Sequence, residues 1–334
     1  MGVAALGPQA GSGVLAQGRP APRAACPRQG GRASVTTTAD EHAERFTLLR
    51  PLLFTIAYEI LGSATESDDV LQDSYLRWAE VDLATVRDTK SYLAQLVTRE
   101  ALNALRSRAR RREDYVGPWL PEPLLLDEND ASADVVLAES VSMAMLVLLE
   151  SLTPDERAVF VLREVFGFDY DEIAGAVGKS AAAVRQMAHR AREHVQARRK
   201  RFGPVDTKRS TQIAEQFMSA AATGDMDQLM SLLAPGATWV ADHGGKAAAL
   251  PRPIVGARKV AAVMRALFRA AERMDIRFET AIYNGAPAVV VYNEDNLEGV
   301  FVFEVIDDVI TNLYAMRNPD KLVGVTIPRT ITRA

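Results

Sequence analysis

The sequence predicts a multidomain protein, two all-α domains followed by an α+β domain, and three observations carry that prediction. Apolar residues recur at three- and four-residue spacing from 41 to 112 and again from 135 to 201. A stretch at 113–134 with prolines at 118, 121 and 123 interrupts them, because proline excludes a continuous helix. Beyond residue 237, short β-branched and aromatic runs replace the helical spacing.

At 334 residues and 48% hydrophobic, the chain can bury more than one core. No apolar run approaches the ~20 residues of a membrane span. The single cysteine, Cys26, forms no internal disulfide and fits a reducing cytoplasm. A formal charge of -4 hides a segregation: cations cluster at Arg99–Arg112 and Lys179–Lys208, acids at Glu66–Asp73 and Asp127–Asp134.

Residues 1–38 contain Gly, Ala, Pro and Arg but no acid, and read as a disordered extension rather than a secretory signal. In the first helical domain, 39–112, Phe46, Leu49, Leu53, Ile56 and Ile60 line one helix stopped by Gly62, with Pro51 expected to kink it or mark its start. "SATE" caps a second helix through Trp78. A third runs from Thr89 to about Arg112 on Leu93, Leu96, Val97, Ala101 and Leu105. The linker, 113–134, is proline-rich and acidic. The second helical domain, 135–203, contains "SLTPDERAVFVLREVFG", in which Thr153 and Glu156 form a capping box and Gly167 stops the helix. The third domain, 208–325, reads as helices at 211–222, 226–233 and 257–271 around a curved antiparallel sheet with strands at 237–241, 276–283, 288–292, 300–305 and 309–315. A tail, 326–334, follows. Unlike the first two domains, 208–325 shows no basic stripe.

The informative stretch is "DYDEIAGAVGKSAAAVRQMAHRAREHVQARRKR", from Asp169. A short helix, a turn at Gly178 and a longer helix capped by Ser180 make a helix-turn-helix. Val184, Met187, Ala188, Ala191 and Val195 form its narrow core stripe. Ser180, Ala181, Ala182, Arg185, Gln186 and His189 lie where such a helix meets base edges. Arg190, Arg192 and Arg198–Arg201 suit phosphates, which position without reading sequence. In the first domain, Arg99, Asn103, Arg106 and Arg110 form a second cationic stripe, so two separate domains would grip two DNA elements. Tyr75 and Trp78 nearby are candidates to stack on an unpaired base, with core packing equally expected for Trp78. Glu66, Asp69, Asp73 and Glu80 make an acidic face suited to a basic protein partner.

"LLRPLLFTIAYEILGSATESDDVLQDSYLRW" resembles region two of an extracytoplasmic-function sigma factor of the sigma-70 family, and "SLTPDERAVFVLREVFGFDYDEIAGAVGKSAAAVRQMAHRAREHV" resembles region four. "YVGPWLPEPL" and "NPDKL" are similar to the sigma-J-like subgroup, which carries a SnoaL-like C-terminal domain. The resemblance implies a factor that binds core RNA polymerase and directs it to promoter DNA. Asp69, Gln72 and Asp73 would contact the β′ clamp helices, and the following helix would recognise and melt the minus-ten element. Region four would read the minus-thirty-five element and dock on the β flap. The subgroup's D-G-G-G-[KR] loop reads "DHGGK" here, with Asp242, Gly244, Gly245 and Lys246 matching and His243 replacing a glycine. That loop and Asn318, Pro319, Asp320, Lys321 and Leu322 are expected to form one regulatory surface. No cofactor, metal or membrane contact is expected. Two alternatives stay open: a ligand-sensing helix-turn-helix regulator with a small molecule in the C-terminal domain, and a SnoaL-like cyclase or isomerase using Asp242 and His243 as an acid/base pair.

Overall fold

The computed structural model describes residues 38–111, 115–126, 134–198, 206–248, 250 and 252–333. The N-terminal extension, apart from Thr38, lies outside them, as do the side chain of Arg110 and the cations at 199–201.

Helix α1 (Thr38–Leu61) runs through Pro51 without ending there, and the Pro51 carbonyl accepts the Thr55 hydroxyl at 2.7 Å. Gly62, at φ 66°, terminates it in the left-handed region that glycine adopts freely. Ser63 then caps α2 (Ala64–Trp78), its hydroxyl accepting from the Glu66 amide at 3.1 Å. Helix α3 (Thr89–Arg111) is capped by the Asp88 carboxylate, which accepts from the Lys90 and Ser91 amides. After the linker come α4 (Val135–Ser140), α5 (Met143–Leu149) and α6 (Pro154–Phe160), the last opened by the expected Thr153–Glu156 capping box. A wide turn of π-helix at Val161–Val165 ends at Gly167. Helix α7 (Tyr170–Val177) stops at Gly178, φ 69°, and α8 (Ala181–Arg198) follows. Val184, Met187, Ala188, Ala191 and Val195 are all buried.

The two helical domains are not independent bodies. Leu53, Ile56, Leu93 and Val97 share one continuous apolar core with Leu146, Phe160, Ile173 and Val184. Two charged side chains lie within that junction. Arg157, 1% exposed, donates from Nε to the Glu59 carbonyl at 2.8 Å and pairs with Glu150. Glu59 is fully buried, with Ser140 donating to it at 2.7 Å, and burial pushes its carboxyl up to about 8.

The C-terminal domain comprises α9 (Thr207–Thr223), α10 (Met226–Leu232), β1 (Leu233–Asp242), β2 (Ile254–Val255), α11 (Ala257–Ala271), β3 (Ile276–Tyr283), β4 (Ala286–Asn293), β5 (Asn296–Ile306), β6 (Val309–Met316) and α12 (Pro319–Leu322). The strand order is β2-β1-β6-β5-β4-β3. The sheet is mixed rather than antiparallel, because β1 and β6 pair in parallel with Trp239 opposite Leu313. Three successive hairpins from β3 leave β6 pointing the same way as β1, and the α11 crossover supplies the return such a pair needs. One sheet face packs Trp239, Phe303 and Leu313 on α9 and α11 through Phe217, Val260 and Met264. The other packs Val290, Val302 and Tyr314 on Leu120 of the linker and Met143 of α5. The third domain is thus built onto the first two.

Candidate nucleic-acid interface and the brace behind it

On α8, Ser180, Ala182, Arg185, Gln186, His189 and Arg190 are exposed, while Ala181 and Arg192 are half-buried. The helix presents one outward face because its other side is filled by the buried stripe. Tyr170 lies under Arg163 and Arg185, at 4.5 and 5.4 Å from their guanidinium carbons. Arg190 pairs with Glu156 at 3.3 Å and Arg192 with Glu164 at 2.5 Å. Arg190 and Arg192 are therefore engaged within the chain, whereas Arg185, Gln186 and His189 face outward at base-reading positions, His189 beside Glu193 at 3.5 Å.

The second stripe is differently placed. Arg99, Asn103 and Arg106 are solvent-exposed on α3, yet Arg99 donates to the Gly175 carbonyl of α7 at 2.8 Å and Arg106 pairs with Asp155 of α6 at 2.7 Å. Ser91 donates to Glu172 at 2.5 Å across the same junction. In this structure the shared core brings the α3 stripe against the helix-turn-helix, so the two cationic stripes belong to one packed body.

Trp78 requires a correction. It is fully enclosed, its indole Nε1 donates to the His42 carbonyl at 2.9 Å, and it packs edge-on against His42, so it is a core residue and stacks on no base here. Tyr75 is half-buried, edge-on to Phe46. By contrast Asp69, Gln72 and Asp73 are exposed on α2 at i, i+3 and i+4, one outward face. Their neighbour Asp68 is held by Arg50 and by Arg329 at 2.7 Å.

The loop after β1 and the segment at α12 do meet, and between them lies the linker. Asp242, 0% exposed, accepts from the Tyr115 hydroxyl, from the Leu120 amide at 2.8 Å and from Lys321 Nζ at 2.7 Å. Lys321 also donates to the Leu120 carbonyl at 2.6 Å and lies 3.8 Å over the Trp119 ring. Burial lowers its ammonium to about 8, against the opposing pull of Asp242. Asn318 caps α12 and donates to the Tyr115 hydroxyl at 2.9 Å; Pro319 occupies the first helical position, Lys246 pairs with Asp320 at the rim, and Leu322 is buried. Gly244 and Gly245 take φ of 56° and 74°, and a Cβ on Gly244 would stand 2.4 Å from the Asn318 amide nitrogen. His243 needs no left-handed backbone: its Nδ1 accepts from the Gly245 amide at 3.0 Å, and its ring fills the space beside Gly117. This placement counts against Asp242 and His243 as an acid/base pair, since both are buried beneath the linker and Asp242 is already saturated.

Further contributors carry no individual signal in the sequence apart from Asn284. Glu122 accepts from the Ser63 hydroxyl at 2.7 Å and the Thr65 amide at 3.0 Å, so the linker holds the start of α2. Asn284, at φ 52° in the β3–β4 turn, accepts from the Leu124 amide and donates to the Tyr58 hydroxyl and the Val141 carbonyl, all at 2.8 Å. Tyr58 in turn donates to the Glu122 carbonyl at 2.7 Å. The tail adds Ile331, 1% exposed in the helical core, and the Thr332 amide, which donates to Thr55 at 3.1 Å. The dipeptide Asn284-Gly285 is a hairpin signal and was the one legible sign among them.

Three family models match: sigma-70 region 2 at residues 46–111, sigma-70 region 4 at 142–195 and a SnoaL-like domain at 214–313. The chain is 35% identical over 290 residues to the ECF RNA polymerase sigma factor SigJ of Mycobacterium tuberculosis, covering 84% of this chain and 92% of that one. The chain belongs to the extracytoplasmic-function sigma factors. The probable ECF sigma factor SigI of the same species is 27% identical over 275 residues, covering 82% and 92%. The crystal structure of SigJ superposes with a TM-score of 0.66 at 29% identity, covering 85% of this chain and 99% of that one. In this sigma factor, the region-two match falls on α1–α3, the region-four match on α5–α8, and the SnoaL-like match on the mixed sheet with its helices.

Proposed function

We propose that this sigma factor binds core RNA polymerase through Asp69, Gln72 and Asp73, reads the upstream promoter element through α8 and the downstream element through the α3 stripe. We further propose that its SnoaL-like domain holds it in a closed, resting form until polymerase or promoter competes it open. The carrying observation is the engagement of Arg99 and Arg106 by Gly175 and Asp155. Groups intended for promoter phosphates are occupied by region four, while the acidic face of α2 stays exposed for a basic partner. Asp242, Lys321, Asn284 and Glu122 tie the connecting segment to region two and to the SnoaL-like domain, which keeps the two readers from separating. The chain acts in the cytoplasm, where polymerase is, and works by docking rather than catalysis. No helix among the described residues is long and apolar enough to cross a membrane.

Run-off transcription with core polymerase tests the reading. Asp69→Arg with Asp73→Arg should abolish holoenzyme formation in a folded protein, because it sets like charge against a basic partner. Arg185→Ala and Gln186→Ala should relax base choice upstream, each lost bidentate contact costing about 1–3 kcal/mol. Undiminished holoenzyme with the first pair, or an unchanged base preference with the second, would remove the corresponding surface from the scheme.

A further inference from the structure

Among the described residues, most cations without an ion pair or hydrogen-bond partner lie in the C-terminal domain. Along α11, Arg258 and Arg269 are exposed and Arg265 half-buried, at i, i+11 and i+7, and the exposed Arg273 follows in the turn after the helix. At 100° per residue the three helical arginines fall within an arc of about 40°, and at 1.5 Å per residue they span about 17 Å. Lys259 and Arg252 flank them. Among the described residues, none of the six makes an ion pair, whereas Arg99, Arg106, Arg190 and Arg192 of the reading domains are all bonded within the chain. Residues 252–277 hold seven cations and two acids, in a chain of net charge -4. The expectation that this domain carries no basic stripe is therefore overturned. In sequence α11 reads first as an amphipathic core helix, and Val260, Ala261 and Met264 are indeed buried.

We infer that α11 is a third nucleic-acid surface, which grips the phosphate backbone of duplex DNA through Arg258, Arg265, Arg269 and Arg273, without reading sequence. Three features favour this occupant. From Arg258 to Arg269 the charges form a row along the helix with the small residues Ala262 and Ala266 between them, and Glu272 enters only at its C-terminal end; such a row suits a linear array of phosphates better than a compact acidic protein patch. Guanidinium groups hold phosphate oxygens in paired hydrogen bonds. The core side of α11 packs on Phe217 and Trp239 through Val260, Ala261 and Met264, so the arginine side is the one turned away from the sheet. The assignment rests on the sigma-factor reading only for where the duplex comes from, the promoter flank.

The test compares holoenzyme binding to two promoter duplexes, one ending at the upstream element and one carrying roughly 20 base pairs more, two helical turns, each over a salt series. On the longer duplex, log K should fall more steeply with log salt. The slope should steepen by about 0.9 for each phosphate engaged by α11. Arg265→Gln with Arg269→Gln should remove roughly 1.8 of that slope on the long duplex and leave the short one unchanged. Equal slopes for the unmodified chain on both duplexes, or an unchanged slope for the double variant on the long one, would overturn the assignment. So would a double variant that loses affinity for core polymerase alone, since the partner would then be an acidic protein surface. Failure of the sigma-factor reading looks different: no holoenzyme forms at all, and the free full-length chain on the same long duplex, with and without the two glutamines, still measures the α11 contact.

Discussion

Asp242 is a central side chain of the brace. It has three partners and no contact with water, and two of those partners belong to the linker. Removing its carboxylate strands the Lys321 ammonium and the Leu120 amide together. Breaking a buried pair from one side costs about 3–5 kcal/mol, so Asp242→Ala should free the linker. Faster proteolysis between residues 113 and 134, followed on a gel, measures it. Two buried groups also make stability depend on pH. Glu59 is raised from 4.5 to about 8, so the packed form holds its proton more tightly than the open form. Its stabilising contribution is complete below about pH 4.5 and is lost as pH rises through 8. Lys321 is lowered from 10.5 to about 8, so stability is recovered between pH 8 and 10.5. Thermal unfolding should therefore show a minimum near pH 8. Glu59→Gln should flatten the acid side of it, and Lys321→Met the alkaline side. Lys321 is marked only through the resemblance carried by "NPDKL", and Glu59 not at all: a glutamate reads as surface until its neighbours are known, and the helical spacing of Ile56, Tyr58 and Ile60 around it gives no reason to bury it.

At the scale of elements, agreement between sequence and structure tracks how local the determining interaction is. The capping boxes, Gly62, Gly167, Gly178 and the α8 stripe were legible because each involves residues within four or five positions. The parallel β1–β6 pair, the seating of Asn284 on Tyr58 and the docking of α3 on α7 join residues tens to hundreds of positions apart, and no periodicity encodes them. The paired "DHGGK" and "NPDKL" segments were legible only through resemblance to relatives, since Asp242 and Lys321 meet across 79 positions. The tail shows the same limit. Residues 326–334 look like a polar end, yet Ile331 enters the helical core and Arg329 reaches Asp68, one residue from the exposed acidic face of α2. Ile331→Ala should lower stability by about 2–5 kcal/mol, the range for emptying a buried aliphatic site. Denaturant unfolding of the full chain checks it, and a loss below 0.5 kcal/mol, ordinary for a surface change, would mean the tail is not seated.

For the whole molecule, the shared core makes opening a cooperative event. Separating region two from region four exposes Glu59 and Arg157 and breaks the Arg99, Arg106 and Ser91 contacts together. Removing the SnoaL-like domain after Val205 takes away Asp242, Asn284, Lys321 and Ile331 but leaves that helical junction intact. We expect the truncated chain to remain folded, to sample the open arrangement more often and to change run-off transcription at equal occupancy of core polymerase. Identical output from truncated and full-length chains would show that the brace has no regulatory consequence. The seating of Asn284 against Tyr58 and Leu124 has a further outcome, set by the order of synthesis. The ribosome delivers region two, the linker and region four before the hairpin that ties them. Residues 199 to 284 take roughly 4–17 s to add at 5–20 residues per second. During that interval the nascent chain presents both promoter readers and the acidic α2 face without Asn284 or Lys321 in place. A newly made molecule is thus least restrained while still being translated, and polymerase close to the ribosome meets it before the brace exists.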